Sequence, residues 1–426
     1  MVINMSKKSG NFFMIVLFIH QNFPGQYKHL APLLASKGHT CAALTLRVEK
    51  QTRWQGVEVI PYRLPKRDKQ MVHPWLIDLD SKVTRAEACY RAARGMKEQG
   101  FEPDLILAHP GWGEAMFLGD LWPHARIALY CELYHLTDQD HLNFDPEFAK
   151  NDLEMQKLRI RLKNLNNHLH FPAAHAGISP TSFQADTFPA DFRDKITVCH
   201  DGIDTSWVRP SDTAKLNIEG APKLTREDEV ITFVNRNLEP YRGYHVFMRA
   251  LPELLRARPK ARILIVGDDG VSYGAAPPKG QTWKEIFIDE VKDQISQSDW
   301  ARVHFLGRIS YGRFLNLLQI SSVHVYLTYP FVLSWSLMEA MACGTAIVAS
   351  DTAPVREMIP DGQFGRLVDF FDRDALVDEV YDLMEDPEAR AELGETTRQS
   401  MVKHYDLKTV CLPQQLSWVS QVMASA

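Results

Sequence analysis

The sequence lacks the features of several specialised protein classes. Its 426 residues include six cysteines but no CxxC pair and no regular cysteine spacing. Neither a disulfide scaffold nor a cysteine-ligated metal site is therefore expected, and the thiols should be reduced, as in the cytoplasm. The net charge is only -5, with 45% hydrophobic and 24% charged residues. This balance excludes a largely disordered chain and argues against a nucleic-acid partner, because nucleic-acid-binding proteins usually carry a basic surface.

Long hydrophobic runs are also missing. The run 12–19 follows two lysines and superficially resembles a secretory signal, but it is short and has no small-residue cleavage site after it. We expect a buried first strand there. No other run approaches the ~20 apolar residues that span a membrane. A cytoplasmic protein is expected, and any membrane association should be peripheral.

Short, continuous apolar runs recur along the chain, as is typical of parallel strands that helices cover on both faces. Helical periods separate them: over 27–37, Leu30, Leu33 and Leu34 share one stripe and Gly38 follows as a terminator. This alternation predicts a doubly wound α/β architecture, and the length suits two domains of roughly 200 residues. The predicted strands are 12–19, 40–46, 57–62, 105–108, 127–131, 176–179, 230–234, 262–266, 303–306, 323–328 and 346–350.

The second half of the chain repeats the pattern of the first. A polar stretch over 209–226 has no clear period and is interpreted as the hinge. After the last predicted strand comes a helical tail, with Asp372, Asp386 and Asp406 as predicted caps. The predicted helices of this half before the tail are 244–257, 283–294, 311–320 and 334–342.

Ligands of open α/β sheets bind beyond the carboxyl ends of strands, and two loops of the first half stand out there. In 20–26, Gly25 comes at the start of a helix, which is typical either of an anion site or of an ordinary turn. In 109–114, His109 is followed by two glycines and Trp112. That histidine is either reactive or a satisfied structural residue, and the local pattern leaves both readings open.

Two loops of the second half carry charged and hydroxyl groups. Arg236 and Arg242 flank a proline turn, where they would hold a diphosphate; alternatively, one pairs with Glu239 and both are solvated. The helix that begins near Ser334 offers free N–H groups to an anion. Glu339 either faces that ligand or returns to the backbone in a capping box with Ser336.

The block 336–344, continued by 345–350 and by Arg356-Glu357, resembles the signature of the retaining glycosyltransferases of family 4. The resemblance extends from about residue 12 onward. It implies the GT-B fold, with two Rossmann-like domains facing a cleft. It also implies an enzyme that transfers a sugar, with retention, from a nucleotide-diphosphate donor to a hydroxyl of a carbohydrate, lipid-linked or protein acceptor. Glycan or polysaccharide biosynthesis is the expected setting, and no metal or other cofactor is expected.

The resemblance also implies roles for residues at matching positions. Glu339 matches the second acid of an E-x7-E motif that grips the ribose, Arg236 matches a diphosphate-binding arginine, and Arg242 stands where a lysine is usual. The implied catalytic residues are His109, Arg236, Arg242 and Glu339. The donor-binding residues are Gly25 near the diphosphate, Gly307, Arg308 and Ile309 at the nucleobase, and Ser334, Trp335, Ser336, Leu337 and Glu339 at the helix start.

The chain departs from the family at one of these positions, because the first acid of E-x7-E is replaced by Phe331. The segment 201–204 is similar to the family's domain junction, and in that fold the final helix returns to the first domain. We therefore predict an acceptor-binding domain over 1–208, completed by a helix over 405–426, and a donor-binding domain over 209–404.

Parts of the sequence also suit other functions. The triplets 78–80 and 138–140 match the Asp-x-Asp of metal-dependent glycosyltransferases, but such triplets are common by chance and no metal site is predicted. Phe331 motivates a non-catalytic sugar-nucleotide-binding subunit as an alternative, and the fold also suits a sugar-nucleotide epimerase or a phosphorylase. A Rossmann dehydrogenase is excluded because no GxGxxG follows the first strand.

Overall fold

The computed structural model describes residues 13–66, 72–138, 142–149, 152–220 and 222–424. By its internal contacts the chain divides into two compact units. The first comprises 1–139, 150–201 and 411–426, and the second comprises 140–149 and 202–410. The division thus lies a few residues from the predicted boundaries at 208 and 404. It also assigns 140–149 to the second unit, which the sequence had not suggested.

Within the described residues, the first unit forms an eight-stranded sheet of order β3-β4-β2-β1-β5-β6-β7-β8. Every pair is parallel except β3–β4. The strands are β1 Ile15–Ile19, β2 Thr40–Thr45, β3 Thr52–Trp54, β4 Val57–Pro61, β5 Leu105–Ala108, β6 Arg126–Tyr130, β7 Ala176–Ser179 and β8 Ile196–Val198. The helices are α1 Leu30–Ser36, α2 Ile77–Glu98, α3 Leu118–Leu121, α4 Leu153–Lys163, α5 Leu165–His170, α6 Ser182–Ala185 and α7 Ala190–Arg193.

Strand β1 is buried on both faces, which explains its unbroken apolar run. Leu17 and Ile19 pack into the layer of α2, whereas Val16 and Phe18 pack into the layer of α1. Each fully buried apolar side chain of this kind stabilises the fold by about 1.5–3 kcal/mol. The prediction of a doubly wound sheet is confirmed.

Helix α1 begins later than predicted. Residues Gly25–Tyr27 form a separate 3-10 turn, and α1 spans Leu30–Ser36. Pro32 has no N–H and is accommodated best in the first turn of a helix, which is where α1 places it. At the other end Gly38 has a φ of 94°, and it terminates the helix as predicted.

Within the described residues, the second unit has a fully parallel six-stranded sheet of order β13-β12-β11-β14-β15-β16, and β9 and β10 pair antiparallel beside it. The strands are β9 Lys215–Leu216, β10 Leu224–Thr225, β11 Val230–Asn237, β12 Arg262–Asp268, β13 Val303–Phe305, β14 Val323–Tyr326, β15 Ala346–Ser350 and β16 Arg366–Val368. The helices are α8 Tyr244–Ala257, α9 Trp283–Val291, α10 Gln297–Trp300, α11 Tyr311–Ile320, α12 Trp335–Ala342, α13 Ala353–Met358, α14 Arg373–Glu385 and α15 Pro387–Tyr405.

The tail is helical, as predicted. Asp372 and Asp386 cap α14 and α15 by accepting hydrogen bonds from backbone N–H groups. Asp406 ends α15 and accepts from the N–H groups of Lys408 and Thr409 at the start of the π-helical turn Leu407–Cys411. The last helix, α16 Leu412–Ala424, belongs to the first unit. Its side chains Trp418, Val419 and Val422 are buried in the same cluster as Phe18 and Tyr27.

Each sheet has a point at which its strand order reverses. In the first unit β1 lies between β2 and β5, and in the second β11 lies between β12 and β14. Chain connections leave in opposite directions on the two sides of such a strand, so the carboxyl edge opens into a crevice that binds ligands in α/β proteins. The loops that follow β1 and β5 therefore define a candidate site in the first unit, and those that follow β11 and β14 define one in the second.

Candidate functional site

Arg242 lies at the reversal point of the second sheet. It is buried, and its guanidinium donates hydrogen bonds to Thr328 Oγ1 (2.7 Å) and to the Val332 carbonyl (2.9 Å), both in the loop after β14. The same guanidinium lies 5.1 Å from the Tyr273 ring centroid and 5.9 Å from that of Phe331. Arg242 thus connects the loops that follow β11, β12 and β14 and brings a fixed positive charge to this edge.

Arg236, at the end of β11, has a different setting. Its side chain is exposed and makes no hydrogen bond or ion pair with any other residue that the structure describes. Neither arginine pairs with Glu239. The predicted alternative, in which one of them forms an ion pair with this residue, is therefore wrong. Of the two guanidinium groups, Arg236 is the one that remains available to an anion.

Glu239 instead organises the loop after β12. Its buried carboxylate accepts hydrogen bonds from the backbone N–H groups of Ser272, Tyr273 and Gly274 at 3.1–3.3 Å. Three consecutive N–H groups directed at one carboxylate fix the loop and place Tyr273 beside Arg242. This contact could not be expected from local sequence patterns, because Glu239 and 272–274 lie in different βα loops.

Helix α12 begins at the end of the loop after β14, and its N-terminal cap is Ser334. The Ser334 hydroxyl accepts from the N–H of Ser336 at 3.3 Å. Glu339 therefore does not close a capping box with Ser336, and that alternative is wrong. The Glu339 carboxylate instead accepts a 2.6 Å hydrogen bond from the Tyr311 hydroxyl at the start of α11.

The other residues predicted at the donor site differ in exposure. Trp335 is exposed, whereas Ser336 and Leu337 are buried, and Leu337 has no accessible surface. Gly307, after β13, has a φ of 58°, and its carbonyl accepts from the N–H of Gly267 at the end of β12. The residues that follow it differ as well: Arg308 is exposed and its Nε lies 3.7 Å from Asp268 Oδ2, and Ile309 is half-buried.

Phe331, which replaces the first acid of E-x7-E, belongs to an aromatic group. Its ring centroid lies 5.1 Å from that of Tyr241 and 5.1 Å from that of Tyr273. Tyr241 in turn lies 4.7 Å from Tyr329. The position therefore presents an aromatic ring to the Arg242 guanidinium in place of a carboxylate.

In the first unit, the loop after β1 is built around His20. The imidazole accepts from the N–H of Asn22 at Nδ1, and Nε2 lies 2.7 Å from Gln26 Oε1. Burial, with a smaller effect of His109, lowers the pKa of His20 to about 4. Gly25 has a φ of 46°, and a Cβ atom there would lie 2.3 Å from His20 Nε2. Glycine at this position thus makes room for the histidine.

His109 follows β5 and lies beside the same loop. Its ring is 2% exposed and stacks on Trp112 and Tyr130, with centroids 4.3 and 5.6 Å away. Nδ1 accepts from the N–H of Gly111, and Nε2 lies 3.3 Å from Glu132 Oε2. His109 was predicted as a site residue but Glu132 was not; the signal available was the position of Glu132 just beyond a buried strand.

Two protein-family models match this chain. Residues 37–208 match the family model described as "Glycosyl transferase family 4 group", and residues 217–400 match "Glycosyl transferases group 1". These two matches follow one another and together span most of the chain. The chain belongs to glycosyltransferase family 4.

Curated relatives are similar in sequence to part of this chain. A phosphatidyl-myo-inositol mannosyltransferase from Mycolicibacterium smegmatis is 32% identical over 198 residues, which is 45% of this chain and 45% of the relative. The chain thus spans about half the length of the curated relatives it matches.

Solved structures resemble the whole glycosyltransferase in fold. A sucrose-phosphate synthase from Thermosynechococcus elongatus has a TM-score of 0.73 at 15% identity, covering 97% of this chain and 100% of its own. The Anabaena protein HepE, in complex with UDP and glucose, has a TM-score of 0.65 at 16% identity, covering 96% and 99%. The predicted GT-B fold is confirmed.

Several described residues with metal-ligand chemistry have protein partners. Asp78 and Asp80 lie in the first turn of α2, and Asp78 pairs with Lys82 at 2.8 Å. The triplet 138–140 falls partly outside the described residues.

Asp145, Glu147 and His245 bring ligand atoms within 4.8 Å of one another. Asp145 Oδ2 is bound by His245 Nε2 and by the Tyr329 hydroxyl, each at 2.8 Å. Both oxygens of Glu147 accept from Arg249 at 2.6 and 2.8 Å. These contacts attach 142–149 to the second unit.

Among the residues described, no helix of the glycosyltransferase combines the length and the apolar character that a membrane crossing requires.

Proposed function

We propose that this glycosyltransferase transfers a sugar, with retention of anomeric configuration, from a nucleoside diphosphate sugar to a hydroxyl acceptor in glycan biosynthesis. The observation that carries the proposal is the group at the reversal point of the second sheet: exposed Arg236, fixed Arg242, the N-terminus of α12, and Glu339 held by Tyr311. Positive potential of this kind suits a diphosphate, and a carboxylate suits ribose hydroxyls.

The proposed reaction needs stabilisation of a leaving group. The acceptor oxygen bonds to the anomeric carbon while the bond from that carbon to the phosphate oxygen breaks. The electron pair leaves with the diphosphate, and the acceptor proton passes to a phosphate oxygen. Arg236 and Arg242 offset the charge that develops, and preorganised groups of this type often contribute several kcal/mol. With both cations in place, we propose that no metal ion is required.

The names of the relatives indicate which acceptors and donors should be tested first. The mycobacterial relative is named for a phosphatidyl-inositol acceptor, and HepE was solved with UDP and glucose. We therefore propose polyol, carbohydrate or lipid-linked hydroxyls as the first acceptors to test, with UDP-linked hexoses among the first donors.

We propose a cytoplasmic location. All six cysteines are buried free thiols, which suits a reducing compartment. Fractionation of cells that produce the tagged full-length chain tests this proposal, and a chain recovered only from an oxidising compartment would contradict it.

Replacing Arg236 by Ala tests the proposal directly. The charge at the diphosphate is lost while no described protein contact is removed, so kcat/KM should fall about 10²- to 10³-fold with an unchanged melting temperature. Arg256→Ala, on the exposed end of α8, is the matched control and should leave both quantities unchanged. Turnover within twofold of wild type in the Arg236 variant would refute the assignment.

A second candidate function is non-catalytic donor binding, which Phe331 favours because an aromatic ring cannot accept a sugar hydroxyl as a carboxylate does. The two candidates separate in an assay of nucleotide release from a bound donor. Binding without release to water or to added hydroxyl compounds would favour the second candidate.

A further inference from the structure

Glu132 is a carboxylate at the carboxyl edge of the first sheet. It follows β6, and the end of β6 is paired with the end of β5, which precedes His109. The Glu132 side chain is 40% exposed, whereas that of His109 is 2% exposed. Glu132 is thus the solvent-facing member of the pair.

The His109 ring is 2% exposed, and its Nε2 is buried without a hydrogen-bond partner among the described residues, so the ring offers a substrate no accessible polar atom. Its Nδ1 accepts a hydrogen bond from the Gly111 N–H, and a neutral imidazole that accepts at Nδ1 carries its proton on Nε2. That Nε2–H lies 3.3 Å from Glu132 Oε2. Trp112 and Tyr130 stack on the imidazole ring. A ligand at this edge therefore meets Glu132 first.

We propose that Glu132 binds a hydroxyl group of the acceptor and that His109 is a positioning residue which orients this carboxylate. The inference rests on the proposed function and assigns a residue to its acceptor side. An O–H group of the acceptor other than the one that reacts donates its hydrogen bond to Glu132, while the reacting hydroxyl oxygen attacks the anomeric carbon. The reacting proton passes to the phosphate oxygen, so Glu132 holds the acceptor and takes no proton.

The surroundings keep Glu132 charged. Burial opposes ionisation, but contact with His109, and then the influence of His20 and His135, lower the pKa of Glu132 below its ordinary value. Tyr130, which stacks on His109, donates to Asp201 Oδ2 at 2.9 Å. Tyr130 and Asp201 are further titratable groups that Glu132 influences. A charged carboxylate accepts from a hydroxyl about twice as strongly as a neutral oxygen.

Glu132→Gln in the full chain separates this role from a structural one. The donor is the nucleotide sugar that raises the melting temperature most in a panel of UDP-, GDP- and ADP-linked hexoses, and the acceptors are water and myo-inositol. We expect an unchanged donor-induced shift and a fall of about 10- to 100-fold in transfer to both acceptors. Glu102→Gln removes the charge of another His–Glu pair of the same unit, 3.5 Å from His124, and should change neither quantity.

A second pair of variants tests the positioning role. Glu132→Asp keeps the charge but retracts the oxygens, so it should lose transfer as the Gln variant does. His109→Asn removes the group that lowers the pKa of Glu132, so the acid limb of kcat/KM, which in wild type lies below the ordinary range of a glutamate, should move to higher pH. In Glu132→Gln that limb should disappear.

The outcomes distinguish this inference from the proposed function. If no nucleotide sugar stabilises the wild-type chain, or none is turned over, the proposed function fails. If wild type is active but Glu132→Gln and Glu132→Asp transfer within twofold of it, the role of Glu132 is wrong. A weakened donor-induced shift in these variants would assign Glu132 to the donor and would equally overturn the inference.

Discussion

Asp201 is an acid whose ionisation the fold opposes. Burial raises the pKa of its carboxyl to about 7, although the Tyr130 hydroxyl donates to it and partly offsets that effect. A free aspartate has a pKa of about 3.9. The folded state therefore binds the proton more tightly than the unfolded state does. The stability that follows is fully present below about pH 4 and is lost as the pH rises through 7.

Asp201→Asn should remove this loss of stability at rising pH. Wild type should lose on the order of 1–3 kcal/mol relative to the variant between pH 5 and pH 8, because only wild type must ionise a buried carboxyl. Urea unfolding at the two pH values measures the difference. Asp120→Asn, at an exposed position on α3, is the control and should follow wild type. A pH-independent difference between Asp201→Asn and wild type would contradict the assignment.

Tyr311 orients the acid that is proposed to bind ribose. Tyr311→Phe removes the 2.6 Å hydrogen bond to Glu339, so the carboxylate loses its fixed direction. We expect the dissociation constant of the donor to rise about 3- to 10-fold, since one such bond contributes about 0.5–1.5 kcal/mol. Isothermal titration calorimetry measures it, with Tyr381→Phe as the exposed control in the same unit. An unchanged constant would limit Tyr311 to a structural role.

At the scale of elements, the loop after β12 depends on one carboxylate from the loop after β11. Glu239→Gln keeps the shape of the side chain but removes the negative charge that accepts hydrogen bonds from the three N–H groups of 272–274. We expect a loss of about 1–2 kcal/mol in stability. Hydrogen exchange of those N–H groups should accelerate. Glu253→Gln, on the surface of α8, is the control; equal exchange in both variants would contradict the organising role.

Elements with strong local patterns were predicted closely. Strands β5, β7 and β15 and helices α8 and α11 match their predicted bounds, because buried parallel strands and amphipathic helices have distinct periods. Short edge strands such as β3 and β16 were missed, since a few half-exposed residues carry little pattern. The pair β9 and β10 falls in the segment that was interpreted as an aperiodic hinge.

The candidate site was predicted unevenly, for a physical reason. Loop positions followed from sheet topology, which places strand ends together. Contacts between loops did not follow, because the Glu239, Tyr311 and Glu132 interactions join residues far apart in sequence. Gly25 was predicted to let the backbone approach the ligand, whereas in the structure the missing side chain leaves space for His20.

At the scale of the whole molecule, the proposed function predicts a stability that depends on the donor. A ligand present at a hundred times its dissociation constant adds about 2.7 kcal/mol to the free energy of unfolding. A thermal-shift panel of nucleoside diphosphates and nucleotide sugars should therefore give a clear increase for at least one nucleotide. Addition of EDTA should leave that increase unchanged, and Arg236→Ala should abolish it. A panel without any increase would refute the proposed donor site.

The placement of α16 in the core of the first unit has a consequence for biosynthesis. The hydrophobic surface around Phe18 and Tyr27 leaves the ribosome before Trp418, Val419 and Val422, which bury it, have been translated. Nascent chains must therefore carry this apolar surface uncovered until those residues have been made, a condition that recruits chaperones. A nonsense mutation before α16 should accordingly yield a product that proteases remove, even though every residue of the proposed catalytic apparatus has been made.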